Sequence, residues 1–361
     1  MKKKIMRFLL MLCLLACAAP LAAQAQAPAG VLTVPQEGMV IVSGTYYGIS
    51  KDWFQKNNPD KGTVSVSVTI PSDVTAIAND GLRDSYSSDK KKYKAVTYID
   101  NLGRYNLAAV DFSQAVNLKT INNQAAMSCT ALTGVLDLSR TKIETLGKSA
   151  FSGCTGIEGV ILPETLKSIG SKDAGSVFRS CSGLKFVRTA GGDPQATFEL
   201  PKQLEVIGRQ SFYKCTGLPA GTAVTIPASV TYVGSEAFYH TDPITTITVE
   251  TDDASAYDGG AFKGNNYGLG KRLVVFRNAA AKNTFQASSP SSYRNAITYE
   301  FLLRYGDGPD ARTEPKLYGQ AVNVCKTDGR WSVEENYTLP KAEITGVPTG
   351  YTGGWAYNDA L

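Results

Sequence analysis

The residues that could carry out chemistry in this chain are few, and His240 is the one histidine among them. A Ser-His-Asp triad could be built only around this side chain, and its neighbours Thr241 and Asp242 look like turn formers. The sequence contains no HExxH zinc motif, GxSxG nucleophile turn, phosphate-binding loop or Gly-rich dinucleotide fingerprint. We therefore expect His240 to be a surface residue of a turn, and the motifs indicate neither catalysis nor a cofactor.

Acidic and basic clusters are the next candidates for chemistry. Paired carboxylates hydrolyse glycosides, and the acidic doublets of the chain are Asp252–Asp253 and Glu334–Glu335. Both are predicted to be solvated charge, and Asp307–Asp310 is predicted to be a turn because it lacks the ligand spacing of a calcium loop. The basic run Lys90–Lys94 indicates a solvated loop, with a docking site for an acidic partner as the alternative.

Seven cysteines offer a third kind of chemistry. Four of them recur at one position of a repeated unit: Cys129, Cys154, Cys181 and Cys215. Because this spacing follows the repeat, we expect buried structural thiols stacked from coil to coil. A disulfide between coils is the alternative, since an exported chain can form disulfides. A metal site would need a CxxC pair or a Cys/His cluster, and the sequence has neither.

The elements that position these residues are encoded in two phrases that recur in register. The first has the form I/L-P-x-x-V/L-x-x-I/V-G and occurs at residues 162–170, 200–208 and 226–234. The second places an aromatic residue three positions before the cysteine slot, as in Phe212 and Cys215. Repetition with a unit of about 23 to 25 residues, lengthened by insertions, predicts a stacked solenoid. A solenoid presents a long regular surface, which favours binding over catalysis.

Residue types within the phrases predict the path of one coil. Ile157 and Val160 fall on a short strand that lines the core, and Pro163 turns the chain out of that strand. Gly170 then allows a tight or left-handed turn. Each buried Phe of the second phrase should contribute on the order of 2–3 kcal/mol through apolar burial. We therefore expect these rings to hold neighbouring coils together.

The N-terminal segment has the pattern of an export signal over residues 1–27. Lys2–Lys4 and Arg7 precede an apolar stretch, and small residues flank Gln24 and Gln26 as they do at cleavage sites. The alternative is a lipobox at residues 14–17, in which Cys17 becomes the lipidated first residue. No other segment is long and apolar enough to span a membrane. We expect a secreted, periplasmic or outer-surface protein, with a lipid anchor on Cys17 as the alternative.

Charge and patterning set the remaining expectations. The formal net charge is +5, and removing the four basic residues of the signal leaves +1. Such a charge gives no concentrated basic face for nucleic acid. After the signal, the patterns predict a β-rich N-terminal cap at 28–66, the solenoid at 67–297 and a small β-rich domain at 298–361. We expect a monomer.

The two phrases resemble the BspA-type leucine-rich repeat of bacterial secreted and surface proteins. Residues Ser211–Leu218 carry the second phrase almost unchanged, and several copies lie in phase. The resemblance implies a leucine-rich-repeat solenoid of short β-strands, turns and short helical or 3-10 segments, with roles in adhesion or in binding host proteins. It implies no catalytic residue and no cofactor. The sequence departs from the family pattern at Ala126, in the aromatic slot, and at Thr241, in the cysteine slot.

The C-terminal segment is similar to the small β-grasp repeat of internalin-like surface proteins. Tyr337–Pro340 and the Gly-Tyr…Gly-Trp ending at residues 350–355 carry this likeness. The ending is one residue short and lacks the usual aromatic residue of that repeat. Another small β module or a cap is therefore the alternative.

Residues between the core positions of the strands face outward and are the candidate ligand contacts. They are Glu158, Lys185, Phe186, Thr245 and Thr246, and the candidates Arg188 and Thr248 directly follow a core residue. Phe186 is an outward aromatic residue among polar and basic neighbours; packing under the insertion at 190–197 is the alternative. We expect a non-enzymatic protein that binds a protein or glycan ligand at the cell surface or host interface. A spacer that presents the C-terminal module, and a polysaccharide hydrolase, are the alternatives.

Overall fold

A computed structural model describes residues 30–84, 104–264 and 272–289, together with the strand segments 297–299, 302–305, 312–315, 324–327 and 330–333. Several predicted features lie outside these residues. They are the export signal at 1–27 with Cys17, the runs Lys90–Lys94 and Asp307–Asp310, the doublet Glu334–Glu335 and the motifs at 337–340 and 350–355.

Short strands dominate the described residues. The strands are β1 (Val31–Val34), β2 (Met39–Val42), β3 (Thr45–Ile49), β4 (Thr63–Thr69), β5 (Ala76–Ile77), β6 (Arg104–Asp111), β7 (Thr120–Ile121), β8 (Gly134–Asp137), β9 (Thr145–Leu146), β10 (Ile157–Leu162), β11 (Ser168–Ile169), β12 (Phe186–Thr189), β13 (Val206–Ile207), β14 (Thr222–Ile226), β15 (Tyr232–Val233), β16 (Ile244–Val249), β17 (Leu273–Phe276), β18 (Ile297–Tyr299), β19 (Leu302–Tyr305), β20 (Arg312–Pro315), β21 (Val324–Thr327) and β22 (Arg330–Val333). Two α-helices, α1 (Lys51–Asn57) and α2 (Ala279–Ser288), and a 3-10 helix at Gln36–Gly38 complete this set. No helix in the described ranges has the length and apolar character to cross a bilayer.

Each coil contributes strands to two separate rows. The short row is one eight-stranded sheet in the order β2-β3-β5-β7-β9-β11-β13-β15, parallel except for the antiparallel β2–β3 pair. The long row consists of three parallel sheets in the orders β1-β4-β6, β8-β10-β12 and β14-β16-β17-β18. Many short parallel strands and few helices confirm the predicted leucine-rich-repeat solenoid.

The first repeated phrase builds the short row. In its second copy the amide of Leu204 donates to the carbonyl of Pro201 at 3.0 Å, so the chain turns directly after the proline. Leu204 and Ile207 are fully buried, and Ile207 ends β13. Gly208 follows at a point where an added Cβ atom would lie 2.9 Å from the backbone of the preceding coil. The predicted left-handed turn is found at Gly170, where φ is +80°, whereas close packing of the coils explains Gly208.

Phenylalanine rings of the second phrase stack in a ladder through the core. Ring centroids are 5.7 Å apart for Phe151–Phe178, 5.6 Å for Phe178–Phe212, 5.6 Å for Phe212–Phe238 and 6.5 Å for Phe238–Phe262. All of these rings are fully buried. Stacking adds to the free energy gained by apolar burial, so each internal ring joins two neighbouring coils.

A left-handed residue stands two positions before and two positions after most of these rings. In the coil of Phe212 these are Gln210, with φ +54°, and Lys214, with φ +57°. In the next coil they are Glu236, with φ +57°, and His240, with φ +55°. The histidine is therefore a turn residue, as expected, and it is half-buried rather than fully exposed.

The predicted segment boundaries fall inside strands. The boundary at residues 66 and 67 lies within β4, which pairs with β1 on one side and β6 on the other. The boundary at 297 and 298 lies within β18, which extends the sheet that contains β17. The C-terminal strands form two antiparallel pairs, β19–β20 and β21–β22.

Candidate functional site

The outward side of the sheet β8-β10-β12, which we call the strand face, brings together four predicted contact residues. They are Glu158, Lys185, Phe186 and Arg188. The parallel register pairs Gly159 with Phe186 and Ile161 with Arg188, and places Val135 beside Gly159. Val135 is 47% exposed and Ile161 is half-buried. The strand face is therefore a small apolar surface with basic residues at its β12 edge.

The ring of Phe186 rests directly on Gly159. A Cβ atom added at Gly159 would lie 2.2 Å from the Cζ atom of the ring, so only glycine leaves room for the ring in this position. Phe186 is half-buried while Gly159 is buried beneath it. The sheet thus fixes the aromatic side chain and leaves part of its surface open to solvent.

Arg188 holds the same ring from its own strand. Its guanidinium carbon is 4.2 Å from the centroid of Phe186, within the range of a cation–π contact. Its Nε donates a hydrogen bond to the carbonyl of Ala196 at 2.7 Å. The insertion at 190–197 is therefore linked to Phe186 through the arginine. The ring is partly an outward contact and partly covered, which combines the two predictions made for it.

Lys185 and Glu158 form an exposed ion pair beside the ring. The lysine Nζ is 3.1 Å from a carboxylate oxygen of Glu158, and the two side chains are 62% and 53% exposed. The amide of Lys185 also donates to the carbonyl of Glu158 at 2.7 Å, so the strand register places the two side chains together. An exposed pair of this kind contributes only about 0–1 kcal/mol to stability, and both charges remain accessible to a ligand.

The three predicted threonine contacts lie on a different sheet, on β16. Thr245 and Thr246 are half-exposed there, and the sheet of β14 and β16 is separate from the strand face. Thr248 is only 7% exposed, because its strand lies between Thr225 of β14 and Val275 of β17. The prediction that Thr248 is an outward contact is therefore wrong. The order of residues along one strand does not show which of them the neighbouring strands bury.

The insertion at 190–197 separates the two sheets. After the insertion, Phe198 forms a parallel bridge with Val187 of β12 and is buried against Phe212, with ring centroids 5.0 Å apart. This segment occupies the edge of β12 that the next long strand would otherwise pair with. The strand face therefore ends at β12.

The cysteines of the repeat donate hydrogen bonds to the preceding coil. The acceptors are the carbonyls of Ala126 for Cys154 at 3.0 Å, of Phe151 for Cys181 at 3.2 Å and of Phe178 for Cys215 at 3.1 Å. The hydroxyl of Thr241 donates to the carbonyl of Phe212 in the same way, which explains how the repeat tolerates this departure. Cys129, Cys154, Cys181 and Cys215 form no disulfide.

Burial makes the thiols of Cys154, Cys181 and Cys215 unreactive. Desolvation raises the pKa of Cys215 to about 12, and it raises the pKa values of Cys154 and Cys181 as well. Because the thiolate is the nucleophile and the metal ligand, a thiol held protonated serves neither role. Within the described ranges, no group of three His, Cys, Asp or Glu side chains is arranged to hold a metal ion.

Sequence reasoning missed Arg272, which continues the series of donors. This side chain is only 5% exposed, and all five of its N–H donors point at backbone carbonyls. The acceptors are Ile244, Phe262, Lys263, Phe238 and Thr241, at 2.8 to 3.2 Å. Its bond to Phe238 takes the place of the missing thiol, since the sequence has Asn265 in that cysteine slot. Desolvation lowers the pKa of Arg272 to about 10.

The acidic doublet Asp252–Asp253 has the geometry of a turn. Asp253 accepts a hydrogen bond from the amide of Ser255 at 2.8 Å, and this bond, with one from the Ser255 side chain, lowers the pKa of Asp253. Asp252 accepts from the side-chain amide of Asn278 at 3.2 Å. A glycosidase general acid requires a raised pKa, so Asp253 is poorly suited to that role.

Comparison with known proteins agrees with the repeat architecture. The family model described as BspA type leucine rich repeat region matches in six copies, over residues 61–185 and 193–269. This match confirms the resemblance carried by the two repeated phrases. No curated protein matches the chain.

Solved leucine-rich-repeat structures are similar at low identity. The leucine rich repeat protein of T. pallidum is 18% identical, over 73% of this chain and 85% of that chain, with a TM-score of 0.35. A leucine rich cell surface protein of Faecalibacterium prausnitzii is 15% identical, over 70% and 73% of the two chains, with a TM-score of 0.32. A leucine-rich repeat protein of Bacteroides ovatus is 16% identical, over 74% and 70%, with a TM-score of 0.33.

Proposed function

Because this chain belongs to the BspA-type leucine-rich repeat family, we propose that it is a non-enzymatic protein that binds a protein or glycan ligand at the bacterial cell surface or at the host interface. The N-terminal pattern supports export, with either free secretion or a lipid anchor on Cys17 as the outcome. The described residues support binding over catalysis, since their buried thiols are protonated and Asp253 has a lowered pKa.

The observation that carries the proposal is the ordered aromatic side chain on the strand face. Phe186 is held between Gly159 and the guanidinium of Arg188, so it loses little conformational freedom when a ligand covers it. Aromatic residues, phenylalanine included, and arginine are enriched at protein interfaces. Val135 extends the apolar surface next to the ring.

The charges around this ring favour a ligand of mixed polarity. Lys185 and Arg188 are basic, whereas Glu158 and Asp137 are acidic, and Asp137 lies opposite Ile161 in the register. A balanced set of this kind suits hydrogen bonding to a protein or a glycan and does not provide the basic surface that nucleic acid requires. We propose that the protein acts as a monomer through this face.

The experiment is a binding screen of the chain without residues 1–27 against extracellular matrix proteins and glycans, followed by a triple variant. Lys185→Ala, Phe186→Ala and Arg188→Ala together should weaken saturable binding by about a hundredfold or more, as expected when an aromatic and an arginine anchor are lost. The matched control is Lys142→Gln with Lys202→Gln, because both lysines are exposed and neither belongs to the strand face.

A thermal melt of each variant separates loss of binding from loss of fold. Binding that is unchanged in a folded triple variant would exclude the strand face as the site. A further variant, Thr245→Ala with Thr246→Ala, tests whether the sheet of β16 contributes to the same site.

The second candidate function is a spacer that presents the C-terminal strands. It is favoured by the two antiparallel pairs β19–β20 and β21–β22, which follow the parallel sheets. In that case a chain ending after β18 should lose all binding while the strand-face variant keeps it. If the chain ending after β18 keeps its binding and the strand-face variant loses it, the strand face is supported as the site.

A further inference from the structure

A second cluster of side chains lies where each coil turns directly after its core ring. Two residues follow each ring position on this turn. They are Met127 and Ser128 after Ala126, which stands in place of a ring, and Ser152 and Gly153 after Phe151. In the next three coils the corresponding pairs are Arg179 and Ser180, Tyr213 and Lys214, and Tyr239 and His240. The fold is the same in all five coils, so the aromatic and basic residues of the last three are not required by the architecture. We call Arg179, Tyr213, Lys214, Tyr239 and His240 the turn edge.

The side chains of the turn edge contact one another across the coils. The guanidinium carbon of Arg179 is 4.9 Å from the centroid of Tyr213, and the Nζ of Lys214 is 5.5 Å from it. The centroid of Tyr239 is 5.6 Å from that of Tyr213 and 4.0 Å from that of His240. Two cations and three aromatic rings thus form one continuous surface over three coils.

A chain of hydrogen bonds beside this surface fixes Arg179. Its Nη1 donates to Oε1 of Gln210 at 3.2 Å, and Nε2 of Gln210 donates to Oε2 of Glu236 at 2.6 Å. Arg209 is 3.8 Å from the same carboxylate. Glu236 is therefore engaged by Gln210 and Arg209, and among the described ion pairs neither Arg179 nor Lys214 has a carboxylate partner.

We infer that the turn edge is a second binding surface, and that its ligand is an acidic polysaccharide. Arginine and lysine bind carboxylate and sulfate groups through charge-assisted hydrogen bonds. Tyrosine rings offer an apolar body and a polar hydroxyl, which suits a sugar ring that carries both C–H and O–H groups. Both cations are exposed, so the binding is superficial and depends on several contacts at once.

Two features favour a polysaccharide over a folded protein at this surface. The exposed large hydrophobic residues of the described chain are Val116 and Val135, and neither belongs to the turn edge, whereas the core of a protein interface is apolar. The coils are stacked at the strand spacing of about 4.8 Å, which is close to the length of one sugar unit in a linear chain. A repeating polyanion can therefore meet one coil with each successive unit, and linked weak contacts sum to a useful affinity.

This inference is independent of the proposed strand-face site, because the two surfaces share no residue. The test uses the chain without residues 1–27 and three soluble probes: heparin as a sulfated polymer, polygalacturonate as a carboxylated polymer and dextran as a neutral polymer. Arg179→Gln with Lys214→Gln should weaken binding to one or both acidic polymers by about tenfold or more. The control Lys142→Gln with Lys202→Gln removes the same charge elsewhere and should change binding by less than about twofold.

Two further variants separate a specific site from general attraction between charges. Arg179→Lys with Lys214→Arg keeps the charge and should retain most of the binding, whereas Tyr239→Ala should weaken it although the charge is unchanged. The strand-face triple variant should bind the acidic polymers as the natural chain does. Whether heparin or polygalacturonate binds more tightly then identifies sulfate or carboxylate as the preferred group.

Several results would overturn the inference. These are binding to neither acidic polymer, equal binding to dextran, equal loss in the charge-matched control, or loss in the strand-face variant alone. An acidic protein that competes for Arg179 and Lys214 when no polysaccharide binds would also overturn it. Thermal midpoints that match the natural chain show that each variant is folded.

Discussion

Side chains at the cysteine slot act as hydrogen-bond donors between coils, and their chemical identity is secondary to that role. Cys154, Cys181 and Cys215 use a thiol and Thr241 uses a hydroxyl, each donating to the carbonyl of the ring position one coil earlier. Arg272 lies outside the slot and donates from its guanidinium to the next carbonyl of that series, at Phe238. The carbonyls of Ala126, Phe151, Phe178 and Phe238 also accept a backbone amide within their own turn. The side chain is therefore a second donor to these carbonyls, and its hydrogen bond contributes its own stabilisation. The spacing of the cysteines predicts that their thiols are buried. It does not predict which carbonyl accepts their hydrogen bond, because every residue has a backbone carbonyl.

The Cys215 thiol provides a test of this role with a defined pH dependence. Cys215→Thr should keep the bond, and Cys215→Ala should lower the free energy of unfolding by about 1 kcal/mol or more. Burial raises the pKa of Cys215 from 9.0 to about 12, so the thiol favours the folded state fully below pH 9.0, and this contribution falls as the pH rises toward 12. Urea titrations should therefore show the natural chain losing stability relative to Cys215→Thr over that interval. A constant difference would contradict the assignment.

Replacing Arg272 tests the end of the donor series. Arg272→Met removes five hydrogen bonds to backbone carbonyls, of which Phe238 and Thr241 still accept a backbone amide. It should lower the free energy of unfolding by about 3 kcal/mol or more. Arg272→Lys keeps the charge with three donors instead of five, so it should recover only part of that loss. Urea denaturation measures both variants. Equal stability of Arg272→Met and the natural chain would show that the guanidinium bonds are dispensable.

At the scale of elements, the strand face depends on a glycine that has no role in the repeat phrases. Gly159→Ala would place a methyl group where the Phe186 ring lies, so the ring must leave the sheet. We expect ligand binding at the strand face to fall about as far as in Phe186→Ala, while the thermal midpoint changes little because Phe186 is only half-buried. Binding assays and melts of both variants make the comparison, and undiminished binding by Gly159→Ala would contradict it.

The Phe ladder makes neighbouring coils depend on one another. Phe212 contacts the rings of Phe178, Phe238 and Phe198, so Phe212→Ala should cost about 3–5 kcal/mol. Hydrogen exchange should then show lost protection in the coils on both sides and unchanged protection in β4 and β6. Loss confined to the coil of Phe212 would mean that the coils are stabilised separately.

The sequence predicts a feature well when the residues of a single coil determine it, and poorly when the feature depends on neighbouring coils. The two phrases repeat most of their core and turn residues from copy to copy, so the short row and the Phe ladder follow from them. The burial of Thr248 depends on β14 and β17, and the end of the strand face depends on the path of an insertion. Those features arise from contacts between coils that differ from one another, and a repeated pattern carries no information about such differences.

At the scale of the whole molecule, the two proposed surfaces overlap in one coil. The strand face spans the coils of Ala126, Phe151 and Phe178, and the turn edge spans those of Phe178, Phe212 and Phe238. The strand face combines an aromatic ring, an exposed valine and balanced charges, whereas the turn edge combines tyrosines with cations that have no described carboxylate partner. The solenoid can vary each side without disturbing the other, because core and turn positions are fixed by the repeat. Two ligands could therefore bind at once. Testing the strand-face triple variant and Arg179→Gln with Lys214→Gln against both kinds of ligand measures that independence.

The division of the long row has a mechanical consequence. The short row joins β2 to β15 without a break, whereas the long row is interrupted between β6 and β8 and again between β12 and β14. A pull along the stack should therefore bend the protein at these two gaps before any coil unfolds, and optical-trap stretching should show a soft regime first. Abrupt unfolding without such a regime would contradict this. The three strands of the strand face lie between the gaps, so they would travel together as a stiff segment while the coils around them flex.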